Sequence, residues 1–223
     1  WINDLDEELI QTYKVIKNSD TRARLIHELE NEEASKERWA FYYREFEPKS
    51  SFDIAKRYFY LNRTSFSGKL ISAAYGYRPK RSVPPDRWHE KINPAGARLA
   101  RTKITNMDFE KVIGHDSDND VLMFIDPPYY SPALKKHYRY GMNITDHSRL
   151  CNVLKTTPHK FFLTYEDCEE IRRMYSWAYI HKLMFTYRVG DSTQIKNLRQ
   201  SGNELVITNY QVNSDEAEQY ELL

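Results

Sequence analysis

Glycine is scarce in this chain of 223 residues. The seven glycines stand at 68, 76, 96, 114, 141, 190 and 202, and no two are closer than eight positions apart. A loop of closely spaced glycines, which lets a backbone approach a phosphate or cofactor, is therefore excluded here, in this order of the chain or in a circularly permuted one. Cysteine is scarcer still. Cys151 and Cys168 alone offer neither a zinc-site spacing nor a disulfide framework, which predicts a reduced, cytoplasmic protein with no structural metal. No apolar run approaches the roughly 18 residues of a membrane span, and no basic-then-apolar signal segment opens the chain.

Aromatic and charged residues are plentiful. With 17 Tyr, 10 Phe and 40% hydrophobic residues, the chain can build one packed domain, or a domain with a small insertion, and has rings to spare for stacking surfaces. The net charge of +1 is unremarked until its distribution is read. Residues 56–103 hold twelve Lys and Arg against only Asp86 and Glu90, so this segment carries about +10 and the rest of the chain is acidic. Clustered cations gain most from displacing counterions on a polyanion, which points to nucleic-acid contact.

Apolar periodicity predicts helices over 5–17, 21–31, 36–46 and 52–61. Between 63 and 103, Gly68, Gly76, Pro79, Pro84, Pro85, Pro94 and Gly96 punctuate the chain and predict loops or hairpins with one short helix at 87–99. After 103 the pattern becomes α/β. Strands are expected at 103–106, 121–125, 160–164, 179–187 and 204–210, with helices at 109–113, 146–155 and 168–175. The apolar run 121–125 reads as a strand covered on both faces. Alternating strand and helix predicts a Rossmann-like parallel sheet. The last two strands have no helix between them, which predicts an antiparallel pair.

Asp126-Pro127-Pro128-Tyr129 directly follows the apolar strand, at the strand end where open α/β sheets bind ligands. The two prolines fix two φ angles and remove two backbone donors. An arylamine nitrogen is a poor nucleophile, because its lone pair is delocalised into the ring. Acceptors on both amino hydrogens draw it toward tetrahedral geometry. The Asp126 carboxylate and the Pro127 carbonyl can be those acceptors, and Tyr129 can stack on the base. Methyl transfer from a sulfonium then needs mainly positioning and electrostatics.

These residues resemble the Dam-type DNA adenine-N6 methyltransferases, and the resemblance runs along nearly the whole chain. It is carried by Ile2-Asn3-Asp4, the run 59–68 with Tyr60-Leu61-Asn62-Arg63, the run 104–109, Asp126 to Tyr130, Asp146-His147, Leu163-Thr164-Tyr165 and the run 204–209. It implies a Rossmann-like S-adenosylmethionine-dependent sheet with an inserted target-recognition subdomain of loops, hairpin and helices. Residues 1–20 and 104–223 would form the catalytic domain, and 21–103 the DNA-recognition region. The substrate would be an adenine flipped out of double-stranded DNA, which costs a few kcal/mol. Asp126, Pro127, Pro128 and Tyr129 would be catalytic. Asp4 would bind the cofactor ribose, Asp108 and Phe109 would flank its adenine, and Asp126 would also face its methionine end. For Asp4 a helix N-cap, and for Phe109 a core position, are the alternative readings. Asn62, Arg63, Phe66, Lys69, Arg78, Lys80 and Arg81 would contact DNA, mostly at phosphates. A cognate restriction endonuclease is a candidate partner.

The chain departs from the family twice. Gly68-Lys69-Leu70-Ile71-Ser72 differs from the readers of GATC enzymes, so another short site is expected. The family's Phe-x-Gly-x-Gly cofactor loop is absent, so a truncated, disordered or omitted segment before Trp1, or a separate chain, is expected to supply it. A DNA-binding remnant without cofactor, and a methyltransferase for a planar amine in RNA or protein, are the competing readings.

Overall fold

The computed structural model describes residues 1–131, 138–186 and 201–212. The chain divides into two compact units, one of residues Trp1–Phe109 and one from Glu110 onward.

The first unit contains β1 (Ile2–Asn3), α1 (Glu7–Lys17), α2 (Ser19–Glu30), α3 (Lys36–Arg44), α4 (Ser51–Thr64), α5 (His89–Leu99) and β2 (Ile104–Thr105). Short polar side chains start the helices by accepting from otherwise unsatisfied backbone donors. Asp6 caps α1, Asn18 caps α2, Ser35 caps α3 and Ser50 caps α4. Helix α4 runs three residues further than its apolar spacing predicts. Thr64 Oγ1 donates to the Tyr60 carbonyl and Ser65 N donates to that of Leu61, so Asn62 and Arg63 are helical. Pro94 sits inside α5 without ending it. Gly96 allows a close approach there. A Cβ at this position would stand 2.3 Å from Arg22 Nη1, whose guanidinium caps the C-terminal carbonyls of α1 at Ile16 and Lys17.

Much of the aromatic content forms this unit's core. Trp39, Tyr42, Tyr60 and Trp88 are buried together with Leu25, Leu29 and Ile92, and the Tyr42 and Tyr60 rings lie 4.5 Å apart. A charged network crosses this core. Glu32 receives hydrogen bonds from Arg38 and from Tyr42 and an ion pair from Lys56 at 2.9 Å. Burial works to raise the pKa of Glu32, but the bonds from Arg38, Tyr42 and Lys56 prevail and hold it down at about 2.

The second unit opens with α6 (Phe109–Ile113), whose first residue closes the first unit. It holds β3 (Leu122–Ile125), α7 (Ile144–Thr156), β4 (Lys160–Glu166), α8 (Glu169–Met174), β5 (Tyr179–Thr186) and β6 (Ser201–Thr208). The four strands form one sheet in the order β3-β4-β6-β5. Strands β3 and β4 are parallel, while β6 runs antiparallel to both β4 and β5, as the missing helix before β6 predicts. Strands β1 and β2 form a separate parallel pair. Among the described residues the hydrogen bonding gives a two-stranded parallel sheet and a mixed four-stranded one, where one parallel sheet was expected.

The faces of the larger sheet differ. Phe161, Leu163 and Tyr165 alternate along β4 on one face and are fully buried, with Tyr165 against His147 of α7 and Tyr175, and Phe161 against Trp177. On the other face Leu122 is 64% exposed and Phe124 71%, with Phe124 stacked on Phe162 at 5.2 Å. The expectation that 121–125 is covered on both faces is thus corrected. Its strand stands at the edge of the four-stranded sheet.

Candidate active site

The ladder that fixes β3 against β4 also places the loop that begins at Asp126. Ile125 pairs with Leu163, so the next residue, Asp126, comes level with Thr164. The Thr164 hydroxyl donates to Asp126 Oδ1 at 2.7 Å, with a weaker 3.4 Å contact to the Ile125 carbonyl. Asp126 itself is exposed, whereas Pro127 behind it is buried. Two further bonds hold the loop. Tyr129 Oη donates to Glu204 Oε1 at 3.1 Å, and Ser131 N donates to Glu166 Oε1 at 2.5 Å. Glu166 and Glu204 are cross-strand partners, and Thr164 lies two residues before Glu166. The three side chains therefore project from one face of the sheet onto one loop. Burial, then the charge and hydrogen bond of Glu204, push the Tyr129 phenol well above its ordinary pKa. The phenol stays protonated and remains a donor.

In the first unit the loop after β2 is pinned to the end of β1. Asn3 donates from Nδ2 to the Met107 carbonyl and accepts at Oδ1 from Met107 N and Thr105 Oγ1. Asn106 donates to the Asp4 carbonyl at 2.8 Å. Asp4 is exposed just beyond β1 and accepts from Asp6 N at 2.7 Å. The cap of α1 is Asp6, so the N-cap reading of Asp4 is removed. Asp108 and Phe109 follow the pinned Met107 and are half-buried.

The basic segment is less uniform than its sequence suggests. Lys56 pairs with Glu28 and Glu32, Arg57 with Glu8, and Arg87 with Glu90. Acids from α1 and α2 thus neutralise its N-terminal end. Lys69, Arg78, Lys80 and Arg81 are exposed, and none makes an ion pair within the described residues. Lys69 lies within, and Arg78, Lys80 and Arg81 just after, a loop closed by an antiparallel bridge between Ser65 and Tyr75, where strands of a hairpin were expected. Phe66, 54% exposed, stands at this closure, with Ser67 and Gly68 at positive φ. Asn62 donates to the Gly68 carbonyl, which makes it a brace of the loop. Arg63 is half-buried in the last turn of α4.

A family model of D12 class N6 adenine-specific DNA methyltransferases matches residues 1–188. The chain belongs to this family. It is a D12-class enzyme, which methylates the N6 amino group of adenine in DNA. It is 28% identical over 224 residues to the Type II methyltransferase M.CviBI of Paramecium bursaria Chlorella virus NC1A, covering 94% of this chain and 80% of that protein. It is also 26% identical over 234 residues to the Type II methyltransferase M1.LlaDCHI of Lactococcus lactis subsp. cremoris, covering 94% and 78%.

Within this D12-class methyltransferase, Asp126, Pro127, Pro128 and Tyr129 come together on one braced loop. Asp4 is brought beside the loop that leads to Asp108 and Phe109. Lys69, Arg78, Lys80, Arg81 and Phe66 share the closed loop and its flanks. Thr164 and Glu204 lie in stretches that carry the resemblance but were given no role there, and Glu166 was not singled out; all three reach the loop of Asp126 to Ser131. A hydroxyl inside an apolar strand that is parallel to the Asp126 strand was the available signal. Among the described residues no helix is long and apolar enough to cross a membrane, and no cluster of His, Cys, Asp or Glu is arranged to hold a metal ion.

Proposed function

We propose that Asp126 is the acceptor that activates the adenine amine. The observation that carries this reading is an exposed carboxylate at the carboxyl end of β3, fixed through one oxygen by Thr164. The Asp126 carboxylate and the Pro127 carbonyl accept the two amino hydrogens, and Tyr129 stacks on the extruded base. Held in this way, the nitrogen would take up the methyl group and its proton would leave to solvent. S-adenosylmethionine is the donor and supplies the electrophilic sulfonium methyl.

For that cofactor the residues present fit one end. Asp4, exposed at a strand end, is suited to accept from ribose hydroxyls, and Asp108 and Phe109 would flank the adenine. Asp126 would face the methionine end. The chain carries no glycine pair for the methionine part. The full assembly is read as a Rossmann-like catalytic domain of residues 1–20 and 104–223, with 21–103 as the inserted recognition region. Asn62, Arg63, Phe66, Lys69, Arg78, Lys80 and Arg81 belong to that region's DNA face, with Asn62 and Arg63 shaping it from the end of α4. The type II names of the two relatives support a restriction endonuclease as partner.

The test is Asp126→Ala in the full-length enzyme with cognate DNA. Methyl transfer is expected to vanish while DNA affinity stays within about twofold. Turnover retained in this variant would falsify the assigned role.

A further inference from the structure

We propose that Thr164 is a positioning residue of the methyl-transfer reaction, acting through Asp126. The inference rests on the reading of Asp126 given above.

A carboxylate on a short side chain at a strand end has two soft torsions and, when exposed, the whole of solvent to turn into. Either oxygen then faces the amine for part of the time, and every other orientation is unproductive. The structure removes this freedom at one atom. The Thr164 hydroxyl holds Asp126 Oδ1 at 2.7 Å, within the range of a strong O–H···O⁻ bond. No described donor meets Oδ2. The bond divides the labour of the carboxylate, with Oδ1 anchored to the sheet and Oδ2 left for the amino hydrogen.

Thr164 itself is well held. It lies in the middle of β4, between fully buried Leu163 and Tyr165. β4 is paired on both sides, to β3 by the Ile125–Leu163 register and to β6 by Thr164–Val206. A β-branched side chain in such a strand has few χ1 choices, so its hydroxyl is a fixed point. The parallel register makes Asp126 the first residue after β3 and sets it beside that point. The Glu204 bond to Tyr129 and the Glu166 bond to Ser131 limit the same loop further along, so Thr164 is left to orient Asp126 alone.

The experiment compares Thr164→Val with Thr164→Ser in single-turnover methyl transfer, with the full-length enzyme saturated in S-adenosylmethionine and DNA. Valine keeps the shape and loses the donor, whereas serine keeps the donor and loses a methyl group. The valine variant is expected to transfer methyl about 10- to 100-fold more slowly, with KM for both substrates within about twofold and an unchanged melting temperature. The serine variant is expected to recover most of the rate. Wild-type rates in the valine variant would overturn the proposal. Equal losses in both variants would also overturn it, since that pattern reports packing. Asp126→Ala serves as the control. If it is inactive and Thr164→Val is fully active, only the positioning role fails. If Asp126→Ala turns over, the acceptor reading itself fails.

Discussion

Phe161 and Phe124 lie on adjacent strands of one sheet, yet they meet opposite surroundings. Phe161 is fully buried and Phe124 is 71% exposed. Truncating a buried phenylalanine removes its transfer free energy and leaves a cavity, so Phe161→Ala is expected to cost about 3–5 kcal/mol. Phe124→Ala loses one stacked neighbour, Phe162, and is expected to cost about 1 kcal/mol or less. Urea unfolding of the two variants measures the difference, and equal costs would refute the account of the two faces. Sequence alone could not draw this distinction. Residues 121–125 are apolar at every position, so their pattern marks a strand without marking which side is covered. Asp126 was legible because a carboxylate and two prolines at a strand end are unusual in any packed strand. Thr164 stands in a stretch that carries the resemblance, but its role was not legible, because a single hydroxyl in a strand gains meaning only when the register sets it beside Asp126.

At the scale of elements, the closed loop after α4 depends on the backbone of Gly76. A Cβ there would sit 2.4 Å from Phe66 Cα and 2.5 Å from Phe66 N, and backbone cannot step aside as a flexible side chain can. Gly76→Ala is therefore expected to open the Ser65–Tyr75 closure and weaken DNA binding at least tenfold. Helical circular dichroism should be preserved, because the core lies in α1 to α5. Unchanged binding by fluorescence anisotropy would remove this loop from the DNA interface. The starts of α1 to α4 were legible to within two residues from apolar spacing alone, although Asp6, not Asp4, caps α1. The end of α4 was missed because its last turn is continued by the Thr64 hydroxyl bond to Tyr60 rather than by apolar spacing. The hairpin expected from the glycines and prolines is reduced to a single bridge, because the residues between Ser65 and Tyr75 include two in positive φ at its start and a third, Ser72, further on.

For the whole molecule, charge decides two behaviours. Glu32 has a folded pKa of about 2 against 4.5 when free. The stability from its network is present above about pH 4.5 and is lost as pH falls toward 2, with a total of up to about 3 kcal/mol. Acid titration of wild type against Glu32→Gln should show this loss in the wild type only. The same acid dependence in both proteins would show that Glu32 is not its source. Lys80 and Arg81 act on a different property. Replacing both by Ala should weaken DNA binding and lower the slope of log affinity against log salt by about 1 to 2, and an unchanged slope would take them out of the phosphate interface. The overall charge of +1 concealed both effects. Net charge reports neither that acids of α1 and α2 silence Lys56 and Arg57 nor that residues 69–81 keep their cations exposed.

The strand order β3-β4-β6-β5 also sets a timetable for synthesis. Chains fold from the N-terminus as they emerge, at about 5–20 residues per second. Among the described residues strand β5 pairs with β6 alone, so it waits for that pairing on the ribosome until residues 201–208 have been made. The carboxylate of Glu204 that steadies Tyr129 arrives in that same last strand. Strands β3 and β4 can pair early and present Asp126 beside Thr164. The loop after β3 gains its full set of restraints only when β6 slides between two strands that were translated before it.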